Sequence, residues 1–561
     1  MLKRIVHRAV KYVRSFVPSE GETHFVDVNR CFWKRFWPTS GAPESIGYVL
    51  VEASDNPIIN LCNASFGAIV CQARHLRPLF LLDGLRDRSP RRLLGSYHPD
   101  ARFIYTTNPR YLFFRLQAML LALQAWLKLD TPDDVLDFRI DGIRFGDIIY
   151  DNTLIRGYAT LKEVDRKVLW VLYDFFKHRF MINDIIRRYR LDSFVVAHTI
   201  GMFGGTFSRY LVKNGIEVIN RVGSHEIVLK KYQAASDIGF YPARPEARYF
   251  ELLMSLPGNE VIPLADHYLN ERHNKNVRHI SVELAFSKAK RLFETSNEFC
   301  EHFNLDPAKK TVFVMLHVFN DHPHSHFSTP MYFRDYFDWF EKTLEIAKTI
   351  RSVNWIFKEH PAAGLYTTRD VDLDKIFARL DIPHIRFLNR NADFNALSMH
   401  RIADTIVTCL GTPGLEYATL GIPCILAGEA PYSGFGFTVE PGSLAEYAQC
   451  LRTIGELPRL TAEQTKAAKI VMFFELPLIH SQRYLFCPYY EFLQIDIPLR
   501  EKVLGDFANL LLETPENDLL GQIAALSEFI ANPHYTQYMN VEKYPFMRPA
   551  IPVFAAKAEK G

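Results

Sequence analysis

Four histidines and one aspartate lie within eleven residues, in the stretch HVFNDHPHSHF at positions 317–327 (His317, Asp321, His322, His324 and His326). Side chains of these types serve as metal ligands, as general acids and bases, or as ordinary polar groups of a loop. The H-x-H spacings at 322–324 and 324–326 could chelate zinc or nickel, as in a metal-dependent hydrolase. However, the stretch has no recognisable carboxylate pattern of the kind that orients metal-bound imidazoles. Which of these roles the stretch has depends on the strands and helices around it.

The segment FKEHP supplies Lys358 and His360 directly after an apolar run. An imidazole held at a strand end by the following proline can donate to a phosphate oxygen, and as imidazolium it would stabilise a departing nucleotide. Lys358 adds a second phosphate contact. A lone histidine at a strand end is more often structural, so this segment indicates an anion site only together with its neighbours.

The segment TCLGTPGLE is typical of a strand end followed by a helix start. Thr412 is suited to cap that helix, and Gly411 and Gly414 would let a ligand approach the backbone. Unpaired N–H groups at a helix N-terminus form an anion site that suits a nucleotide diphosphate, and Glu416 could accept hydrogen bonds from ribose hydroxyls. The alternative is a plain strand–turn–helix junction.

Strand-like and helix-like segments alternate through most of the chain and would position these residues. IGYVLVE, PLFLLD and SFVVAH are strand-like in the first half, and VFVMLHV, VNWIFKEH, DTIVT and PCILAG are strand-like in the second. Such alternation predicts an α/β fold with two Rossmann-like domains facing a cleft, a helical connection and C-terminal helices. Ligands of such sheets bind at the carboxyl ends of the strands, where the polar segments above fall.

The domain boundaries follow from where this alternation stops and restarts. We predict an amphipathic basic helix at 1–20, Rossmann-like domains at 21–275 and 276–460, and helices with a polar tail at 461–561. In Leu2–Val17 one helical face is apolar and the other is basic with no acid, which predicts a helix on an anionic membrane surface. The alternative is a helix packed on its own domain.

Composition argues against some partners and compartments. The 66 basic and 63 acidic residues leave a net charge of +3, so no overall basic field favours nucleic acid. The eight cysteines are scattered without a C-x-x-C pair, which favours a reducing compartment. Tyr111–Leu129 approaches membrane-spanning length but carries Arg115 and Lys128, which predicts a buried or surface-associated helix and no transmembrane span.

Taken together, VFVMLHVFNDHPH, FKEHP and GTPGLEYATLGIPCILAGEAPYSGFGFTVEP resemble the capsule-polysaccharide-biosynthesis group of bacterial glycosyltransferases, which have the two-Rossmann GT-B fold. That group shows H-V-F-x-D, K-x-H-P, G-T-x-G-x-E and Y-S-G-x-G-F-T segments in this order. The likeness extends over roughly residues 140–450 and includes GIRFGDIIYDNTLIR. Here H-V-F-x-D continues as HPHSHF, and His322, His324 and His326 are expected in an interface or substrate-side loop.

The resemblance implies transfer of a sugar from a nucleotide-activated donor to a surface polysaccharide or lipid-linked glycan, without metal or other cofactor. The donor, carried by a uridine or cytidine nucleotide, would bind the C-terminal domain and the acceptor the N-terminal one. With the basic helix, it implies a cytoplasmic protein, peripheral at the inner membrane. The predicted donor-site residues are His317, Lys358, His360, Gly411, Thr412, Gly414, Glu416, Ser433 and Gly434.

A general base has to take the proton of the acceptor hydroxyl. We favour His198, at the end of SFVVAH, together with Asp151 in GDIIYDN; Asp147 and Asp321 are further candidates. A turn or helix cap is the commoner use of an aspartate such as Asp151.

Three other functions fit the same fold. One is a polyol-phosphate transferase with a cytidine-diphosphate donor, one is a nonhydrolysing nucleotide-sugar epimerase, and one is a non-catalytic scaffold. An epimerase has no need of a membrane helix, so the basic N-terminal segment disfavours it.

Overall fold

A computed structural model of the chain describes residues 17–37, 47–53, 57–82, 88–222, 227–235, 238, 244–256, 258–274, 285–286, 289–325, 331–366, 368–480, 484–488 and 497–552. Positions 1–16 of the helix predicted at 1–20, and also His326, lie outside these residues, and the first described helix begins only at Glu20. The described chain forms two compact units. Unit 1 comprises Met1–Trp126, Leu172–Ile238 and Ile479–Gly561, and unit 2 comprises Leu127–Val171 and Gly239–Leu478.

The strands in chain order are β1 (Tyr48–Ala53), β2 (Arg77–Leu82), β3 (Arg102–Tyr105), β4 (Arg139–Ile140), β5 (Ile143–Arg144), β6 (Leu191–Val196), β7 (Glu217–Val222), β8 (Val228–Tyr232), β9 (Thr311–Met315), β10 (Asn354–Lys358), β11 (Ile385–Leu388), β12 (Thr405–Thr408), β13 (Cys424–Leu426) and β14 (Thr438–Val439).

The α-helices are α1 (Glu20–Lys34), α2 (Pro57–Arg74), α3 (Arg88–Gly95), α4 (Leu112–Trp126), α5 (Pro132–Leu136), α6 (Gly146–Leu154), α7 (Arg166–Arg188), α8 (Met202–Lys213), α9 (Ala247–Ser255), α10 (Gly258–His273), α11 (Ser296–His302), α12 (Tyr336–Thr349), α13 (Leu373–Ala378), α14 (Met399–Ile402), α15 (Pro413–Ala418), α16 (Leu444–Arg452), α17 (Ala462–Phe473), α18 (Ile497–Glu513) and α19 (Glu516–Ala531). A π-helical turn, Phe474–Leu478, directly follows α17. None of the helices that the structure describes combines the length and apolar character needed to cross a bilayer.

Unit 1 contains a six-stranded sheet in the order β3-β2-β1-β6-β7-β8. All neighbouring pairs are parallel except β7 and β8, which are antiparallel. The outer edge of β8 is covered by a later segment of the chain: the Lys231 N–H donates to the Thr536 carbonyl at 2.8 Å, and the Tyr538 N–H donates to the Leu229 carbonyl at 3.1 Å. The edge strand is thus paired rather than left open.

Unit 2 contains a second six-stranded sheet, entirely parallel, in the order β11-β10-β9-β12-β13-β14. Its strands are apolar on both faces: Phe313 and Ile356 pack into one core, and Val314 and Phe357 into the other. A strand buried on both faces has to be a continuous apolar run, which is why VFVMLHV and VNWIFKEH are recognisable in the sequence. In both sheets the second and third strands are added on one side of the first strand and the later strands on its other side, which is a Rossmann-type order. This confirms the predicted α/β fold class.

The contacts divide the chain differently from the predicted ranges at 127–171, 239–275 and 461–478, all of which belong to unit 2. Residues 127–171, predicted within the 21–275 domain, group with unit 2, because Asp151 and Tyr150 on α6 hydrogen bond to Ser325 and Asp335. Residues 461–478, predicted among the trailing helices, also belong to unit 2. Such long-range contacts leave no mark in local hydrophobic periodicity.

Candidate functional site

The predicted donor-site residues and Asp321 all lie at the carboxyl edge of the sheet in unit 2. His317 and Asp321 follow β9, and Lys358 is the last residue of β10. Positions 411–416 and 433–434 follow β12 and β13. Because β10, β9, β12 and β13 are neighbours in a parallel sheet, their ends lie along one edge, where the ligands of such sheets bind.

His317 links two strand ends within the fold. Its Nε2 accepts a hydrogen bond from the Leu410 N–H at 3.3 Å and lies 3.2 Å from the Thr408 hydroxyl. The ring stacks on Tyr336, with the centroids 4.4 Å apart. Burial, with His360 nearby, lowers the pKa of His317 to about 3. His317 is therefore a neutral ring that holds β9 and β12 together, and these contacts argue against its predicted role as a nucleotide ligand.

The turn before α15 differs from the predicted anion site in its hydrogen bonds. The Gly411 N–H donates to the Thr408 hydroxyl at 3.3 Å, and the Gly414 N–H donates to the Gly411 carbonyl at 3.0 Å. The Glu416 N–H donates to the Thr412 carbonyl at 2.9 Å. The Thr412 side chain makes no capping hydrogen bond to α15. Most donors expected for a phosphate are thus used inside the turn, and the capping prediction for Thr412 is wrong.

The glycines of this turn are explained by packing. A Cβ on Gly414 would lie 2.3 Å from the Tyr432 hydroxyl and 3.0 Å from Cys424 Sγ. A Cβ on Gly411 would lie 3.0 Å from the Thr408 hydroxyl, and the Gly411 carbonyl accepts from the Tyr432 hydroxyl at 2.5 Å. Packing against Tyr432 therefore accounts for glycine at position 414, and the space at position 411 is tight, without any ligand.

Glu416 is held by an arginine that was not among the predicted site residues. Arg272 Nε, near the end of α10, donates to Glu416 Oε1 at 2.7 Å, and both side chains are largely buried. A carboxylate has lone pairs beyond those that one guanidinium N–H uses, so Glu416 retains acceptor capacity for a sugar hydroxyl.

Ser433 and Gly434 shape the loop that follows β13. The Ser433 hydroxyl accepts from the Ala430 N–H at 2.9 Å, which closes a tight turn. Gly434 has φ +84°, a left-handed conformation that favours glycine, and its N–H donates to Glu440 Oε1 at 2.8 Å. Both residues have local structural roles at the sheet edge.

Lys358 carries an ammonium group with no partner. Among the described residues, no hydrogen bond or ion pair reaches its Nζ, whereas the adjacent Glu359 pairs with Arg390 at 3.0 Å. Burial and the nearby Lys290 together lower the pKa of Lys358 to about 8, against the opposing effect of Glu359. A partly desolvated cation without a direct ion-pair partner is a favourable place for an anionic ligand.

His360, two residues further on, is half-buried and has a defined tautomer. Its Nδ1 accepts from the Ala362 N–H at 3.1 Å. In the neutral ring Nε2 then carries the proton and is the nitrogen able to donate.

Asp321 combines burial with a lack of partners. In the described part of the chain, no hydrogen bond or ion pair reaches its carboxylate. Burial raises the pKa of Asp321 to about 6. The carboxylate is close enough to Tyr336 and Tyr366 to raise the pKa of both phenols. A carboxylate poised near neutral pH at a sheet edge suits a general base.

Asp151, in contrast, anchors the histidine-rich loop. It is fully buried, and its Oδ2 accepts from the Ser325 N–H at 2.6 Å, the His324 N–H at 3.1 Å and the Ser325 hydroxyl. Burial raises the pKa of Asp151 well above its ordinary value. A side chain with no exposure and several protein donors is not placed to reach an acceptor sugar, so the structure argues against Asp151 as the base.

The histidines of this loop have structural contacts. His324 Nε2 donates to the Arg334 carbonyl at 2.5 Å, its ring meets Tyr150 edge-on at 5.0 Å, and burial lowers its pKa to about 4. His322 is buried and has φ +49°, a strained conformation for a residue with a Cβ. In the described part of the chain, no group of three or more His, Cys, Asp or Glu side chains is arranged to hold a metal ion.

His198 lies in unit 1, two residues after β6, and is half-buried. A Cβ on Gly204 would lie 1.7 Å from the His198 carbonyl, so α8 packs tightly against the backbone there. Its predicted role as a base stays a prediction.

One buried acid was not selected from the sequence. Glu475 lies in the π-helical turn, with 6% of its surface exposed, and its Oε1 has no hydrogen-bond partner among the described residues. Burial raises the pKa of Glu475 well above its ordinary value, and its carboxyl is close enough to Tyr432 to raise the pKa of that phenol. An acid inside the apolar run KIVMFFELPLI was a signal that could have identified it.

No protein-family model and no curated protein matches the chain. Among solved structures, it is similar to KpsC, a beta Kdo 2,4 transferase of Thermosulfurimonas dismutans (13% identity, 50% of this chain and 79% of that one, TM-score 0.30). It is also similar to UDP-GlcNAc 2-epimerase from Neisseria meningitidis (10% identity, 84% of this chain and 100% of that one, TM-score 0.27). A third similar structure is the wall teichoic acid polymerase TagF (10% identity, 92% of this chain and 98% of that one, TM-score 0.20). At such scores these likenesses carry no argument about activity.

Proposed function

We propose that the protein is a glycosyltransferase that moves a sugar from a nucleotide-activated donor to a bacterial surface polysaccharide or glycolipid, without a bound metal. The observation that carries this proposal is the unpartnered Lys358 ammonium, beside His360, at the carboxyl edge of the sheet in unit 2. A half-buried cation and an N–H donor at the ends of parallel strands fit the phosphate of a nucleotide.

Each side chain has a defined task in this proposal. Lys358 and His360 Nε2–H contact the donor phosphate. Glu416, oriented by Arg272, accepts a hydrogen bond from a hydroxyl of the nucleotide ribose. Asp321 serves as the general base, because its pKa of about 6 leaves it mainly ionised at neutral pH while it can still hold a proton.

The transfer itself is a single displacement in its simplest form. The acceptor hydroxyl oxygen bonds to the anomeric carbon, and the bond from that carbon to the donor phosphate oxygen breaks. The hydroxyl proton passes to the Asp321 carboxylate, and the nucleotide leaves with the electron pair. Lys358 and His360 stabilise the charge that develops on the departing phosphate.

We further propose that the protein acts in the cytoplasm at the inner face of the inner membrane. The support is the unbroken basic face of the sequence Leu2–Val17, which suits anionic lipids. A lipid-linked acceptor would be presented at that surface.

A panel of uridine and cytidine nucleotides, measured by thermal shift, tests the donor site. A ligand that binds only the native state raises Tm, so at least one nucleotide should raise it by several degrees. Lys358→Met should abolish the response, and the fold should survive because the substitution removes an unpaired buried charge. The control is Lys375→Met, an exposed lysine of unit 2 paired with Asp372, which should respond like wild type.

The products formed on turnover distinguish the glycosyltransferase from the epimerase and the polyol-phosphate transferase. With the responding nucleotide sugar and a glycan acceptor we expect acceptor-dependent release of the nucleotide. Epimerised sugar in the absence of acceptor would indicate the epimerase instead, and transfer of polyol phosphate from a cytidine-diphosphate donor would indicate the polymerase-type reaction. The absence of any response to uridine and cytidine nucleotides would contradict the donor-site assignment.

A further inference from the structure

Helix α4 of unit 1 exposes a continuous apolar face. The exposed residues are large, and between 42% and 69% of the surface of each is accessible: Leu112, Phe113, Leu116, Leu120 and Leu123. At 100° per residue these five positions fall within a sector of about 100° on the helix surface. Isolated exposed leucines are ordinary, but a stripe of this length on one helix is not.

The opposite face of α4 packs against the rest of unit 1. Ala118 and Ala122 are fully buried, and the Phe114 ring stacks on Phe180 of α7 with centroids 5.6 Å apart. The packing of α4 on unit 1 therefore uses small and aromatic residues on one side. The exposed leucines contribute nothing to that packing, so their apolar character needs another explanation.

The charged residues of the chain segment that carries the stripe are basic, and one of them, Arg110, pairs with Asp184 of α7 at 3.0 Å. Between Asp100 and Asp130 the chain has no acidic residue, and the basic residues there are Arg102, Arg110, Arg115 and Lys128. On the helical projection Arg115 lies beside one border of the stripe, and Gln117 and Gln124 lie beyond the other. Apolar side chains bordered by cations and amides match the boundary between acyl chains and anionic headgroups.

The helix is suited to lie along a bilayer. Its fifteen residues span only about 22 Å, less than the roughly 30 Å of a hydrocarbon core, and Arg115 interrupts it. A protein-binding face of this size would be expected to mix aromatic and polar side chains, whereas this one is almost entirely leucine. Leucine on one face and cations at the border are typical of helices in the interfacial plane.

We propose that α4 is a membrane-docking helix, which inserts Leu112, Phe113, Leu116, Leu120 and Leu123 among the acyl chains of an anionic bilayer, with Arg115 at the lipid phosphates. This inference does not depend on sugar transfer, because it concerns attachment to the membrane alone. It also differs from the proposed role of Leu2–Val17, since it assigns a second surface in the folded part of unit 1.

Co-sedimentation of the full chain with phosphatidylcholine vesicles, with and without phosphatidylglycerol, tests the proposal. The wild type should bind the anionic vesicles and release at high salt. Leu116→Gln with Leu120→Gln should reduce that binding by about tenfold or more, because two inserted side chains become polar. Both side chains are exposed, so the far-ultraviolet circular dichroism and Tm should stay at the wild-type values.

The matched control is Leu512→Gln on α18, since Leu512 is 62% exposed but lies outside the stripe. It should bind like wild type. Unchanged vesicle binding by the double variant would overturn the proposal and leave the N-terminal segment as the attachment. A wild type that dimerises without lipid, and becomes monomeric in the double variant, would overturn it in favour of a second copy of the chain on α4.

Discussion

Asp321 and Lys358 each carry a charge that burial disfavours and that no direct hydrogen bond or ion pair from the described residues compensates. Proteins retain such groups mainly where a ligand or a reaction uses them, because they reduce the stability of the unoccupied fold. His317, Asp151 and His324 show the opposite condition, since their hydrogen bonds are made within the protein. The two conditions separate the functional candidates from the structural ones.

Asp321→Asn should lower kcat by about 10²–10⁴-fold, with little change in KM for the donor, because the amide cannot accept the acceptor proton. The wild-type kcat/KM should rise with pH through about 6 and then level, since the ionised carboxylate is the active form. The variant should lose that rise. Steady-state kinetics between pH 5 and pH 9 measures both, and Asp381→Asn, an exposed aspartate of unit 2, is the control.

The same variant should gain stability above pH 6. The folded pKa of Asp321 is raised, so ionisation of this carboxyl favours the unfolded chain. Its protonated form does not reduce the free energy of unfolding below pH 3.8, and the reduction grows as the pH rises from 3.8 through about 6. After allowance for solvent screening we expect a gain of about 1–2 kcal/mol at pH 8 and none at pH 3.5. A loss of stability at pH 8 would contradict an unpaired carboxylate.

Glu475→Gln tests the second lone acid. Its raised pKa means that stability is highest below the ordinary value of 4.5 and falls as the pH rises above it. Glutamine removes that dependence, so the free energy of unfolding should increase by about 1–3 kcal/mol at pH 8 and be nearly unchanged at pH 4. Urea denaturation at the two pH values is the measurement, and equal effects at both would exclude ionisation as the cause.

At the scale of elements, α6 and the loop after β9 depend on one carboxylate. Asp151 and the amides of His324 and Ser325 are 173 and 174 positions apart in the chain, yet they form the hydrogen bonds that hold the loop. His317 has the same function between β9 and β12. The histidine-rich stretch is thus fixed from both sides, and Asp321 lies between these two attachments.

Asp151→Asn should destabilise the protein by about 2–4 kcal/mol, because an amide NH₂ in place of Oδ2 would face donors from Ser325. Ser325→Ala, which removes only the hydroxyl, should cost about 1 kcal/mol. Amide hydrogen exchange at His324 and Ser325 should become faster in the first variant. If Asp151→Asn instead kept full stability and lost only kcat, Asp151 would be catalytic after all.

The strands were predictable because each is an apolar run buried on both faces, as VFVM and NWIFK show. The parallel topology puts Lys358, His360 and Glu416 along the same edge of the sheet, as predicted for the ends of parallel strands. The packing role of Gly414 did not follow, because Tyr432, the side chain that a Cβ there would meet, is distant in sequence. The roles of Asp151 and Glu475 could not be predicted either, because their burial and hydrogen-bond partners depend on long-range contacts that local sequence patterns do not show.

At the scale of the molecule, each unit has its own sheet with a Rossmann-type order, and the two differ in what their carboxyl edges hold. In unit 2 the edge carries Lys358, His360 and Asp321. In unit 1 the residues after β1 and β6 include His198, and the buried Glu52 accepts from the Ala197 N–H at 2.8 Å. The unpartnered cation is in unit 2, so the nucleotide is expected there.

Hydrogen exchange with and without the responding nucleotide tests this assignment. Amides of 359–363 and 409–416 should exchange more slowly in its presence, because a bound phosphate restrains those loops. Residues 197–205 of unit 1 should be unaffected, and Lys358→Met should show no protection anywhere. Protection confined to 197–205 would place the nucleotide in unit 1 and contradict the proposal.

The pairing of β8 with residues 536–538 has a consequence for biosynthesis. All of unit 2 precedes residue 479 in the chain, whereas the sheet of unit 1 is covered only by a segment made later. During translation unit 2 can therefore finish folding while β8 still offers an open edge, and the covering segment follows residue 478 by roughly 3–12 seconds at about 5–20 residues per second. A chaperone that occupies this edge, or a ribosomal pause before residue 479, would affect the yield of unit 1 and not that of unit 2.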